Sequence, residues 1–190
     1  MDEYTIELFK NSVKHSDVPE EIIAKYQGIV SENIISLWRE YGFCTTEDGY
    51  YKLVNPDDYA DILGEIYDLD DDEDPVVVMV TGMADIIIYE IYDNHGQFIY
   101  IDLRHQKCGG VGRDCIPARR LKTVDFRHTV LSWDLYEKAV EKFGTPAYEE
   151  CFGYEPLLSL GGKEKLENLR KVNLSVHLDI VSQMQERASF

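Results

Sequence analysis

The 190-residue chain is 44% hydrophobic and 29% charged, the balance of a globular protein rather than a disordered one. Its 36 acidic and 19 basic residues leave a formal net charge of −17, which disfavours nucleic acid and anionic membranes and favours a basic partner. No apolar run reaches the ~18 residues of a membrane span, and the opening MDEYTIELFKNSVKH lacks the basic and apolar regions of a signal peptide, so a cytoplasmic location is expected.

Tyr4, Leu8 and Val13 give residues 4–14 a weak helical period. Asp17-Val18-Pro19-Glu20-Glu21 reads as a helix entry, with Asp17 as cap, Pro19 in the first turn and acids that suit the macrodipole. Ile34, Ile35, Trp38 and Tyr41 form one face of a helix over Ser31–Tyr41, started by Ser31 and ended by Gly42; Trp38 belongs to the core. Phe43–Val54 alternates around Asp48-Gly49, a hairpin signal. Asn55-Pro56 opens a further helix that places Tyr59, Ile62, Leu63 and Ile66 on one side.

After the acidic run Asp68–Asp74 come three stretches rich in β-branched and aromatic residues, Val76–Val80, Ile86–Tyr92 and Phe98–Leu103. Thr81–Asp85 and Asp93-Asn94-His95-Gly96 supply the turns between them, so the three form an antiparallel meander. Ile86-Ile87-Ile88-Tyr89 is apolar on both faces, and each face therefore needs a cover. Cys108–Arg113 reads as a flexible glycine-rich surface loop, and Thr129–Phe143 as a helix stopped by Gly144 and Pro146. Gly153–Gly162 reads as an irregular strand or loop that buries its leucines. One helix is expected from near Lys163 and another from Asn173 to Gln185, with His177 as a structural histidine. The fold class is α+β, an antiparallel sheet centred on residues 76–103 and covered by helices.

The motifs carry little chemistry. Cys44, Cys108, Cys115 and Cys151 are irregularly spaced and read as free thiols rather than a zinc knuckle. Cys108-Gly109-Gly110-Val111-Gly112-Arg113 lacks the Lys-Ser/Thr of a phosphate loop, and the acidic run lacks the glycine and closing Glu of a calcium loop. Arg113, Arg119, Arg120 and Lys122 are a local excess of cations, expected to pair with neighbouring carboxylates. No nucleophile–base motif is present, so no catalytic, cofactor-binding or metal-binding residues are expected.

Several motifs in order carry a family resemblance: Tyr26-Gln27-Gly28, Leu37-Trp38-Arg39-Glu40-Tyr41-Gly42-Phe43, Gly49-Tyr50 and Val54-Asn55-Pro56-Asp57-Asp58-Tyr59. Together they resemble the GAD-like domain of bacterial proteins. Cys151-Phe152-Gly153-Tyr154-Glu155-Pro156, Leu160-Gly161-Gly162 and Glu167–Val172 through His177-Leu178 resemble the domain that follows it in immunity proteins paired with a type VI secretion DNase. Trp-x-x-Tyr-Gly-Phe is also similar to the wider SMI1/KNR4-like immunity superfamily. The resemblance implies a GAD-like segment over 1–104 and an immunity-protein segment over 105–190, packed as one unit. It implies a monomer or weak homodimer that neutralises a cognate basic toxin domain, a nuclease, by stoichiometric occlusion. A regulatory interaction module and an enzyme of unknown reaction are the other classes open to this sequence. Where the family tends to carry an aromatic and a glycine in a turn, this chain has Thr81-Gly82-Met83-Ala84-Asp85, a place where partner specificity would diverge. The expected partner-binding residues are Asp70, Asp71, Asp72, Glu73 and Asp74 with the aromatic anchors Tyr50 and Tyr51, and Tyr92 beside them. Replacing Asp70, Asp71, Asp72 and Asp74 with Asn should slow association with a basic toxin and flatten its salt dependence. Stopped-flow binding at two ionic strengths measures both, and unchanged kinetics would refute the assignment.

Overall fold

The computed structural model describes residues 1–67, 75–113 and 115–184. The chain runs α1 (Glu3–Phe9), β1 (Val13–Ser16), α2 (Glu20–Tyr26), α3 (Glu32–Tyr41), β2 (Phe43–Thr46) and β3 (Tyr51–Leu53). A 3-10 turn, Pro56–Tyr59, leads into α4 (Ala60–Ile66), followed by β4 (Val76–Thr81), β5 (Ile86–Tyr92), β6 (His95–Asp102) and β7 (Lys107–Arg113). Short helices α5 (Ala118–Leu121) and α6 (Val124–Thr129) precede α7 (Trp133–Phe143), β8 (Glu150–Tyr154), β9 (Leu169–Asn173) and α8 (Leu174–Ser182). The first seven strands pair strictly in sequence order, each antiparallel to the next, and β8–β9 forms a separate ribbon. The fold is α+β, and the expected three-stranded meander is the centre of a larger one.

Side-chain alternation divides the sheet between two cores. Ile87, Tyr89, Phe98 and Tyr100 face one cluster, with Trp38 of α3, Leu121, Phe126 and Tyr136 of the later helices, and Phe152 of β8. Ile86, Ile88, Ile99 and Ile101 face the other, under α4 (Ile62, Leu63, Ile66) and α8 (Leu174, Leu178, Val181). The double apolar pattern of β5 thus has its two covers. A bulge interrupts β4 between Val77 and Met79; the extra residue puts Val78 and Met79 in the same cluster and returns Val80 to the other. Both clusters draw residues from before and after position 104.

The glycine stops and the Asn55 cap hold, while the caps expected at Asp17 and Ser31 do not. Asp2 accepts from the Tyr4 and Thr5 amides and starts α1, Asn55 caps the Pro56 turn, and Asn173 caps α8. Gly42 and Gly144 close their helices at φ 69° and 79°. Asp17 is not a cap: Pro19 takes that position and Asp17 instead binds Lys14 Nζ at 2.9 Å. Ser31 sits at the start of α3, but its hydroxyl makes no cap hydrogen bond. The helix expected over Thr129–Phe143 is broken, because Ser132 adopts φ 53°, and α7 begins at Trp133.

Three expectations are corrected by strand pairing and packing. Cys108–Arg113 is not a loop: β7 pairs with β6 from Gln97↔Arg113 to Asp102↔Lys107, and the ladder holds backbone that its glycines alone would leave irregular. The helix expected from Lys163 is instead a single 3-10 turn, Leu166–Asn168, and then β9, whose backbone groups pair with β8 along Glu150–Tyr154. Leu157 and Leu158 are only half-buried and Leu160 is 64% exposed, so this stretch does not bury its leucines.

Lys52 is fully buried in β3 and donates to the Ala147 carbonyl at 2.7 Å. Burial lowers its ammonium to about 8, against Cys151, Glu149 and Glu150, which pull it up. The unfolded chain therefore binds more protons than the folded one between about pH 8 and the ordinary lysine value of 10.5. The penalty is complete below that window and is relieved as pH rises through it. From about pH 7 to pH 10, the stability difference between the parent and Lys52→Met should move in the parent's favour by roughly 2 kcal/mol. Urea melts across that range measure it; a pH-independent difference would show that Lys52 does not titrate abnormally.

Candidate partner-binding surface

The turn Glu47-Asp48-Gly49 holds three successive left-handed residues, at φ 51°, 53° and 80°, and swings the next two tyrosines inward. Tyr50 and Tyr51 are both fully buried, which corrects their assignment as exposed anchors. Tyr50 Oη donates to the Leu131 carbonyl at 2.5 Å, and Tyr51 Oη donates to that of Leu121 at 3.0 Å. Tyr50 meets Tyr136 edge to face at 4.8 Å and Trp133 at 4.6 Å. The two tyrosines tie the sheet to the C-terminal helices. Tyr92 is 56% exposed near the β5–β6 turn. The acidic residues Asp70, Asp71, Asp72, Glu73 and Asp74 lie outside the described residues.

The turn Thr81–Asp85 is buried throughout and belongs to the interior rather than to a contact surface. Gly82 N–H donates to the Tyr50 carbonyl, and the Gly82 carbonyl accepts from Phe152 N–H at 2.7 Å. A Cβ at Gly82 would stand 2.6 Å from the Tyr136 ring, so the glycine serves close packing between the two halves of the chain. Asp85 and Arg104 make two hydrogen bonds, Nη2 to Oδ2 at 2.7 Å and Nε to Oδ1 at 3.1 Å, with side chains 0% and 5% exposed. Tyr100 Oη donates to Asp85 at 2.7 Å, and Arg104 Nη1 reaches Ser132 Oγ at 3.3 Å. Asp85, joined by Tyr100 and Asp102, holds the guanidinium well above its ordinary value against the opposing effect of burial.

Where the left-handed turn meets α7, a cleft of about 270 Å³ opens, lined by Glu47, Asp48, Trp133, Tyr136, Glu137 and Glu141 with Val140. Trp133, Glu137 and Glu141 recur every four residues and share one stripe of α7. Trp133 Nε1 donates to Glu137 at 2.9 Å, and Tyr136 Oη donates to the Asp48 carbonyl at 2.7 Å. Glu47 is already engaged by Arg127 at 2.8 Å and by Lys122 at 3.6 Å. Asp48 and Glu141 are exposed. Carboxylates around aromatic walls suit a cationic side chain. The predicted cation cluster divides: Lys122 pairs with Glu7 and Glu47, while Arg119 and Arg120 lie over the Tyr4 and Phe126 rings.

The buried and half-buried thiols are restrained. Burial pushes the Cys44 and Cys151 thiols up to about 12 and raises Cys108, so none is activated as a thiolate. Lys52, the lysine with a lowered value, is sealed in the core. His105 bridges Asp102 at 2.7 Å and Glu164 at 3.3 Å and fastens the segment after β8 to the end of β6. His177 is buried, and burial followed by Arg104 lowers its value, which keeps it neutral.

Fold and surface together define an α+β protein built on an open antiparallel meander, with an acidic exterior. The chain belongs to the GAD-like domain family, whose profile matches residues 2–103. Residues 118–185 match a second family, described as T6SS immunity protein Tdi1, C-terminal, which supports an immunity-protein role. Among solved structures the chain is similar to Atu4351 from Agrobacterium tumefaciens, with a TM-score of 0.75 and 16% identity over 96% of this chain and 89% of that one. This likeness establishes the shared fold. No curated protein matches the sequence.

Removing one member of the buried pair should be costly. Arg104→Met should lose roughly 3–5 kcal/mol in urea unfolding, and adding Asp85→Leu should recover a large part of that loss. Equal losses in the single and double variants would show that the pair is not what the site depends on.

Proposed function

We propose that this protein is a bacterial immunity protein that binds a cognate type VI secretion toxin, a nuclease, in the cytoplasm and neutralises it stoichiometrically by occlusion. The match of residues 118–185 to a type VI secretion immunity family carries this reading. The net charge of −17 supports the choice of partner, because a surface that holds phosphates is basic and an acidic inhibitor complements it. The acidic run at 68–74 contributes long-range attraction, and the cleft between Asp48 and Glu141 takes a lysine or arginine of the toxin. The protein works by covering the toxin's surface, without catalysis and without a cofactor. The GAD-like and C-terminal segments act as one unit, since both hydrophobic clusters contain residues of each.

Co-expression with the nuclease toxin encoded beside its gene tests the reading. The expected outcome is restored growth, a 1:1 complex by size exclusion with light scattering, and loss of DNA cleavage in vitro at equimolar inhibitor. Association should slow as salt rises. Persistent toxicity with both proteins folded and no complex formed would refute it.

A further inference from the structure

Helix α8 buries Leu174, His177, Leu178 and Val181 against the sheet, yet its opposite side is also apolar. Val176 and Ile180, four apart on α8, are 55% and 43% exposed and form one stripe, and Met184 in the turn just past the helix is 42% exposed. Beside the stripe lies a cavity of about 410 Å³ lined by Tyr154, Leu157, Val172, His177 and Ile180, with Glu155 as its charged lining residue. A second cavity of about 220 Å³, reaching Arg104 and His105, shares Tyr154, Leu157 and His177 as a common wall.

Tyr154 makes this more than an exposed helix face. It is 3% exposed and lines both cavities; its Oη meets no partner at full hydrogen-bond geometry, with Glu164 and Arg104 as the polar groups close enough to interact with it. A buried hydroxyl without a partner is a cost that a phenylalanine at this position would avoid. The free protein keeps the hydroxyl at the place where the two cavities meet.

We infer that this surface receives an amphipathic helix of the partner toxin, laid along α8, with one apolar side chain in the larger cavity and a polar group that satisfies Tyr154 Oη. The inference rests on the immunity reading and locates part of its interface. Charge decides the occupant. Glu155 at the cavity and the exposed Asp179 on α8 complement lysine or arginine flanking the apolar stripe of the incoming helix. A second copy of this chain would set these carboxylates against their own kind, between two bodies of charge −17.

The test uses the intact chain and the purified toxin domain as probe. Tyr154→Phe should leave the thermal midpoint of the free protein unchanged or raised, because it deletes an unsatisfied hydroxyl, and should weaken toxin binding by about tenfold. Ile180→Asp, at an exposed position, should keep the fold and weaken binding by roughly 30-fold or more. Tight wild-type binding with both variants unimpaired overturns this surface and leaves the immunity reading standing. Wild-type protein that does not bind the toxin overturns both. A Tyr154→Phe variant that is itself destabilised shows the hydroxyl to be satisfied within the fold and overturns the inference. So does a wild-type dimer dissociated by Ile180→Asp in sedimentation, which assigns the stripe to a second copy.

Discussion

The rest of the structure depends on the burial of the Asp85–Arg104 ion pair. A carboxylate with no solvent exposure must be matched by charge and by hydrogen bonds, and here Arg104, Tyr100 and Thr81 supply them. Each partner belongs to a different piece of chain. Thr81 ends β4, Asp85 leads into β5, Tyr100 lies in β6, and Arg104 follows it and reaches Ser132 just before α7. Satisfying one carboxylate therefore sets the tight turn after β4, the register of the central strands and the seat of the C-terminal helices. The contact of Gly82 with Tyr136 and the tyrosine pair Tyr50–Tyr51 close the same junction from the other side.

The acidic exterior has its origin in 36 acidic against 19 basic residues. Several of the few cations are spent on the chain itself. Arg104 and Lys52 are buried, Arg127 is held between Glu47 and the Trp133 face, and Arg119 and Arg120 lie over aromatic rings. Carboxylates such as Asp48, Glu141, Glu155 and Asp179 stand on the surface. The interior also takes up Asp85, Glu90 and Asp102, so the acidic exterior follows from composition rather than from selective burial of cations. The acidic cleft by α7 and the apolar stripe of α8 belong to helices that pack in different hydrophobic clusters, on opposite faces of the sheet.

Local chemistry was legible wherever it acts over a few residues. Asn55 as a cap, Gly42 and Gly144 as stops, and the β-branched runs of the meander depend on neighbouring backbone. Ile86-Ile87-Ile88-Tyr89 also announced its two covers, because alternation on a pleated strand sends consecutive apolar residues to opposite faces. What failed was the inference from residue type to exposure. Tyrosines beside a turn read as anchors, and a buried turn read as a contact site, because a single chain segment does not reveal what packs onto it. The cleft joins Glu47 to Glu137 across about ninety residues, and only the four-residue spacing of Trp133, Glu137 and Glu141 hinted at it.

The sequence by itself determined the α+β class, the central antiparallel meander, some helix ends such as Gly42 and Gly144, and the sign of the net charge, since each follows from periodicity, capping or composition. Only the tertiary structure decided that Cys108–Arg113 and Leu169–Asn173 are strands, that Tyr50, Tyr51 and the Thr81–Asp85 turn are interior, and that α8 keeps an apolar side in solvent. The reason is common to all of them. A glycine-rich or polar segment becomes a strand when a neighbour supplies its hydrogen bonds, and an aromatic ring becomes core when distant helices close over it. Both are properties of contacts between segments far apart in the chain.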